Sequence, residues 1–153
     1  MVTETDNSSS INSLVFTQVR LLSCIGMMHS GVQQLVERAK ATRIDLVAFC
    51  EKEWTNYIQQ DDQLLRSHTI DHAASDWEVW CHAESRRRTG YAIWLLDCMW
   101  SYQFQVRPLL SLEDARVPVP CQEVLWEAST PLDWQQLYSV SARELFPPRL
   151  KLH

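Results

Sequence analysis

The stretch from Asp76 to about Val106 constrains the fold most, because it holds no Pro and a single Gly, Gly90. Ser75 precedes it and Asp76, Trp77 and Glu78 open it, an N-cap followed by first-turn acids that favour the positive end of a helix dipole. Arg107-Pro108 follows it, and Pro cannot continue a helix. The spacing predicts one helix of ~30 residues, ~45 Å long. Its first half is amphipathic, with Trp77, Trp80, Cys81, Glu84, Arg88 and Tyr91 along one stripe. Its centre, Tyr91 to Trp100, is apolar almost all round, and a helix apolar on every side is expected to be buried on every side. The prediction is an all-α, single helical domain packed around one long central helix at about 76–106.

The rest of the sequence agrees with that architecture. Three Gly and six Pro in 153 residues are too few for a turn-dense sandwich or a glycine-looped nucleotide fold. Hydrophobic residues make up 46%, enough to build one core at this length. Residues 1–10 are polar and are expected to form a disordered tail. From Ile11 the apolar residues fall at three- and four-residue steps: Leu14, Val15, Val19, Leu22, Ile25 and Met28. Ser13 or Asn12 is placed to cap this helix, and Gly31 to end it in a left-handed turn. Val32, Leu35, Val36 and Ala39, then Ile44, Leu46, Val47, Phe49, Cys50 and Trp54, predict a second helix with a break near Thr42. A short connection makes the two an antiparallel pair. Residues 58–75 read as a loop and Pro108 to Cys121 as an extended linker. Gln122–Ala128 reads as one or two helical turns, Asp133–Leu145 as a last helix stopped by Phe146-Pro147-Pro148, and 147–153 as a tail.

The charge balance is 14 Lys+Arg against 19 Asp+Glu, a net −5, which argues against a surface that grips nucleic acid. The five Cys are widely spaced with no C-x-x-C pair, so zinc-finger and thioredoxin-type chemistry has no support. Buried free thiols suit a reducing compartment, nucleus or cytoplasm. The polar N-terminus lacks the apolar core of a signal peptide, and no run of ~18 apolar residues reads as a membrane span.

Candidate chemistry is sparse. Cys81-His82 and Asp71-His72 are adjacent pairs, and neighbours on a helix point apart, so neither chelates a metal. Arg86-Arg87-Arg88 is too short for a nucleic-acid-binding basic stretch. Arg87 and Arg88 follow Glu84 by three and four residues, the favourable order for ion pairs. Asp97 interrupts the apolar run, so the fold must supply it with donors, from the backbone or from an Arg of a neighbouring helix. An enzyme using Asp97 with Cys98, His82 or Tyr91 is the competing reading. No nucleophile triad, paired catalytic carboxylate frame or phosphate-binding loop accompanies them.

One long pattern goes beyond generic helix. Trp77-x-x-Trp80 leads to Glu84-x-x-Arg87-Arg88 and on through Trp94 to Asp97. Pro120-Cys121 and Leu125-Trp126-x-Ala128 come after the linker. This resembles the fungal-specific transcription factor domain, the all-helical regulatory region of fungal zinc-cluster and zinc-finger regulators. Val15 to Leu22, His29-Ser30-Gly31 and Ala39 look like the preceding helix pair. The resemblance implies a partial regulatory domain over 11–146, nuclear control of a metabolic or biosynthetic gene set, no catalytic or cofactor residues, and a structural role for the motif positions. It implies protein partners, either the transcription machinery or a homologous regulator, and a small-molecule effector. The DNA-reading module of the full regulators is not among these residues, so no direct nucleic-acid binding by this chain is expected. The alternative is a stand-alone helical protein that modulates a full-length homologue by heterodimerisation.

Overall fold

A computed structural model of the chain describes residues 4–64, 73–111 and 118–145, and every regular element among them is helical. The order is α1 (Glu4–Met28), α2 (Gln33–Leu64), α3 (Ala73–Phe104), α4 (Glu123–Trp126) and α5 (Pro131–Leu145). The helices are longer than the apolar periodicity predicts. α1 opens at Glu4, so residues 4–10, read as tail, have helical backbone. α2 runs unbroken through Thr42, whose hydroxyl donates to the Arg38 carbonyl at 3.0 Å and so stays inside the helix. Residues 58–64 and 73–75, read as loop, belong to α2 and α3, which puts Ser75 inside α3 rather than at its cap. Positions 65–72, 112–117 and 146–153, including the expected C-terminal tail, lie outside the described residues.

The ends of the helices follow local chemistry. α1 stops where Gly31 takes the left-handed conformation, φ +70°, that the sequence assigns to it. The Ser30 hydroxyl closes that turn, donating to the Met27 carbonyl at 2.8 Å and accepting the Val32 N–H at 3.1 Å. α3 ends at Phe104, earlier than Arg107-Pro108 suggests, because Gln105 turns left-handed at φ 54°. α5 has Thr130 at its start, whose hydroxyl oxygen accepts the Asp133 N–H at 3.1 Å, followed by Pro131 at the first helical position.

The first three helices form a bundle whose register is set by paired contacts. Arg20 with Asp45, and the Cys24 thiol donating to the Ala39 carbonyl at 3.3 Å, make α1 and α2 antiparallel. The Cys50 thiol donating to the Gly90 carbonyl at 3.4 Å, and Arg86 beside Glu53 at 3.8 Å, make α2 and α3 antiparallel. α1 and α3 therefore run parallel, joined where the Gln18 amide reaches the Ser85 hydroxyl at 3.2 Å and the Thr89 hydroxyl at 3.1 Å. α3 packs against α1, α2 and α5. No helix among the described residues is long and apolar enough to cross a membrane.

The core comprises Leu21, Cys24, Met28, Ala39, Leu46, Val47, Cys50, Trp54, Ile93, Leu96, Trp100 and Leu110. Two expectations about its faces are corrected. On α1 the buried stripe is Leu14, Thr17, Leu21, Cys24 and Met28, while Val15, Val19 and Leu22 face out. On α3 the apolar centre is not wrapped on every side, because Leu95, Cys98 and Met99 are exposed. Trp54 and Trp100 are buried and Trp94 is half-buried, its ring edge-on to Tyr91 with centroids 6.3 Å apart.

Candidate functional site

Two charged carboxylates are fully buried on α3, Glu84 and Asp97. Thirteen residues at about 100° each leave them about 220° apart around the helix, so they face different neighbours. Each collects donors from a second segment of chain. Together they fix where the chain goes after α3 leaves the bundle.

Asp97 faces α2 and the segment that follows α3. Its Oδ1 accepts the Arg43 Nε–H at 2.6 Å, and its Oδ2 accepts the backbone N–H groups of Leu109 at 2.8 Å and Leu110 at 2.9 Å. Arg43 is itself buried in α2, lies over the Trp100 ring at 5.6 Å and donates to the Arg107 carbonyl at 3.4 Å. One carboxylate thus joins α2, α3 and residues 107–110, and sets Leu110 into the core. Both Asp97 oxygens are engaged, which leaves no lone pair directed at a substrate.

Glu84 faces the linker and α4. Its Oε2 accepts from Arg87 Nη1 at 2.8 Å, and its Oε1 accepts Arg88 Nε–H at 3.1 Å and the Cys121 backbone N–H at 2.8 Å. Arg88 continues outward. It donates to the Cys121 carbonyl at 3.1 Å, pairs with Glu123 at 3.2 Å, and its guanidinium lies 4.6 Å from the Trp126 ring centre. Burial opposes the Arg88 charge, but hydrogen bonds to Cys121, Glu84 and Glu123 outweigh it and hold its pKa above the ordinary guanidinium value. The Cys121 thiol is pushed up to about 11, first by burial, with Arg88 opposing and Glu84 reinforcing. A thiol so held is protonated and a poor nucleophile at neutral pH.

The tryptophans of the motif complete this side. Trp80 sits between Trp126, centroids 6.3 Å apart, and Trp134 of α5, 5.5 Å apart, and Trp134 stacks on Tyr138 at 5.0 Å. The structure thus brings Trp80, Glu84, Arg87, Arg88, Cys121 and Trp126 together, with Pro120 next in chain to Cys121. It places Asp97 in a separate cluster and leaves Trp77 and Trp94 half-buried along α3. Arg43 and Trp134 are the participants that the sequence did not single out. Arg43 had a signal, since it is the charge set among the apolar positions Ala39, Leu46, Val47 and Cys50 of α2.

Among the described residues no group of three His, Cys, Asp or Glu is placed to hold a metal ion. Asp71 and His72 lie outside those residues. The arrangement is a pair of charge-centred clamps whose acceptors are satisfied from within the chain.

The model of the "Fungal specific transcription factor domain" family matches residues 6–150. The chain is 26% identical over 127 residues to a protein named "Transcription factor" from Gibberella fujikuroi, covering 83% of this chain and 17% of that protein. It is 27% identical over 140 residues to the "Nicotinate catabolism cluster-specific transcription factor" of Emericella nidulans, covering 90% of this chain and 16% of that protein. The chain therefore spans about a sixth of the length of these relatives. No solved structure matches it.

Proposed function

The chain belongs to the fungal-specific transcription factor domain family, and on that premise we propose that it supplies the regulatory contacts of a transcription regulator rather than its reading of DNA. Family membership is the observation that carries this reading. The chemistry of the chain supports it. The buried carboxylates are consumed in holding helices and linker together, so they build a scaffold. The net charge of −5 disfavours a phosphate-gripping surface. The cysteines are spread over α1, α2, α3 and the linker rather than gathered as a zinc site would require. Contact with DNA comes from another module. The chain acts in the nucleus through protein partners, either the transcription machinery or a homologous regulator, under the influence of a small-molecule effector. Its target is a metabolic or biosynthetic gene set; the Emericella relative is named as specific to a nicotinate catabolism cluster.

A reporter assay tests this. The 153-residue chain is fused to a heterologous DNA-binding domain in a fungal host and compared with that domain alone. The fusion is expected to change reporter expression, while the purified chain leaves duplex DNA unshifted at about 0.15 M salt. Unchanged expression, or tight sequence-specific DNA binding by the chain itself, would overturn the proposal.

A further inference from the structure

The bundle and the arm that follows it are held together by different means. The core is built by α1, α2 and α3 with Leu110, and the buried Leu125 of α4 and Trp134 of α5 lie outside it. α5 rests on α3, and α4 rests on α5. The stretch from Cys121 to Trp126 is held on α3 by three side chains. Arg88 donates to the Cys121 carbonyl and the Glu123 carboxylate and lies over the Trp126 ring. Glu84 accepts the Cys121 N–H, and Trp80 packs against Trp126. A segment docked by a few side chains outside the core opens at lower free energy than the whole domain.

We propose that this side of α3 is a recognition groove for a short helical segment of a protein partner, one that carries a carboxylate with Leu and Trp two and three residues after it. α4 is the resident occupant with that pattern, Glu123, Leu125 and Trp126, and the partner segment displaces it. Charge favours this chemistry. Glu84 sets one carboxylate against the two guanidiniums of Arg87 and Arg88, so the uncovered groove carries one surplus positive charge in a chain of net −5. The Glu123 carboxylate answers it, 3.2 Å from Arg88. The apolar contacts narrow the choice further. The Trp126 indole meets both the Arg88 cation and the Trp80 ring, and Leu125 is the buried anchor between acid and indole. The inference rests on the reading that the chain works through protein partners. A binding measurement on the purified chain separates failure of the groove from failure of that reading.

Fluorescence anisotropy with a labelled peptide of residues 118–130 and the full 153-residue chain, under reducing conditions, tests the proposal. In the wild type α4 holds the groove at an effective concentration of about millimolar, so the added peptide binds weakly. Glu123→Arg, at an exposed position, sets a cation against Arg88, and Trp126→Ala removes the indole, so each frees the groove. Either variant is expected to bind the peptide at least about tenfold more tightly than the wild type. Adding Arg88→Ala to the variant, or Glu123→Lys to the peptide, should weaken that binding at least about tenfold. Circular dichroism identifies a variant that fails to fold, and the other then decides. Absence of binding to the folded variants up to about 1 mM peptide overturns the proposal, as does binding that Arg88→Ala leaves unchanged. A single-stranded oligonucleotide that displaces the peptide at equal concentration also overturns it, since the groove would then select charge alone.

Discussion

Arg43 of α2 and Asp97 of α3 meet inside the bundle, 54 residues apart in sequence, with the guanidinium Nε–H donating to the carboxylate at 2.6 Å. Their side chains are 6% and 0% exposed, so water screens neither charge. Removing one partner strands the other. Asp97→Ala is expected to cost about 3–5 kcal/mol in urea unfolding, because it leaves Arg43 uncompensated and frees the Leu109 and Leu110 N–H groups. The double variant Arg43→Met/Asp97→Leu should lose less than the sum of the two single changes. Strict additivity would show that the pair is not coupled.

Glu84 links α3 to the linker through the Cys121 N–H and to two arginines. Glu84→Gln keeps the shape but removes the charge that both arginines use. The expected cost is about 1.5–3 kcal/mol, as for hydrogen bonds to charged groups. The linker should loosen at the same time, so the Cys121 thiol should alkylate faster in iodoacetamide time courses followed by peptide mass. An unchanged Cys121 rate would mean that Glu84 does not hold the linker.

Gly90 of α3 faces the Trp54 indole of α2 at close range. A Cβ at Gly90 would lie 2.6 Å from Trp54 Nε1 and 3.3 Å from its Cδ1, and that indole is buried. A buried ring cannot swing aside as a flexible chain end can. Gly90→Ala is therefore expected to destabilise by about 1–3 kcal/mol, against the usual helix gain of alanine over glycine. Thermal unfolding checks the sign, and a stabilised variant would mean that Trp54 is free to move.

Alkaline pH should destabilise the protein. The Cys121 thiol rises from 9.0 to about 11, and burial also raises Cys24, Cys81 and Tyr91. Each group holds its proton more tightly folded than unfolded. Their contribution is complete below the unfolded pKa and is lost as pH climbs through the folded one, so stability falls across about pH 9–11. Denaturant titrations over that range should show the decline, and Cys121→Ala should flatten it.

Much of this architecture is legible in local pattern. Helical spacing, the left-handed Gly31, the run of turns at 123–126 and the final helix follow from residue chemistry within one or two turns. Glu84 and Asp97 stand out because a charge inside an apolar stripe must find donors. The arginines that answer Glu84 are legible too, since i, i+3 and i, i+4 neighbours share a helix face.

Other features are decided only in three dimensions. On α1 the apolar residues occupy most of the circumference, from Leu14 and Val15 through Leu22 and Met28. Periodicity then gives the spacing of the helix but not which side turns inward. Packing against Ala39 and Leu46 of α2 chose Leu21 and Cys24 and left Val19 and Leu22 outside. The same reason exposes Leu95 and Met99 on a helix whose sequence is apolar all round. Arg43 became the partner of Asp97, and Trp134 the neighbour of Trp80, because antiparallel packing and the linker carry distant residues to one level. The sequence determined which groups needed burial and partners. The tertiary structure decided which face and which partner, because those depend on helix phase and register that no single segment encodes.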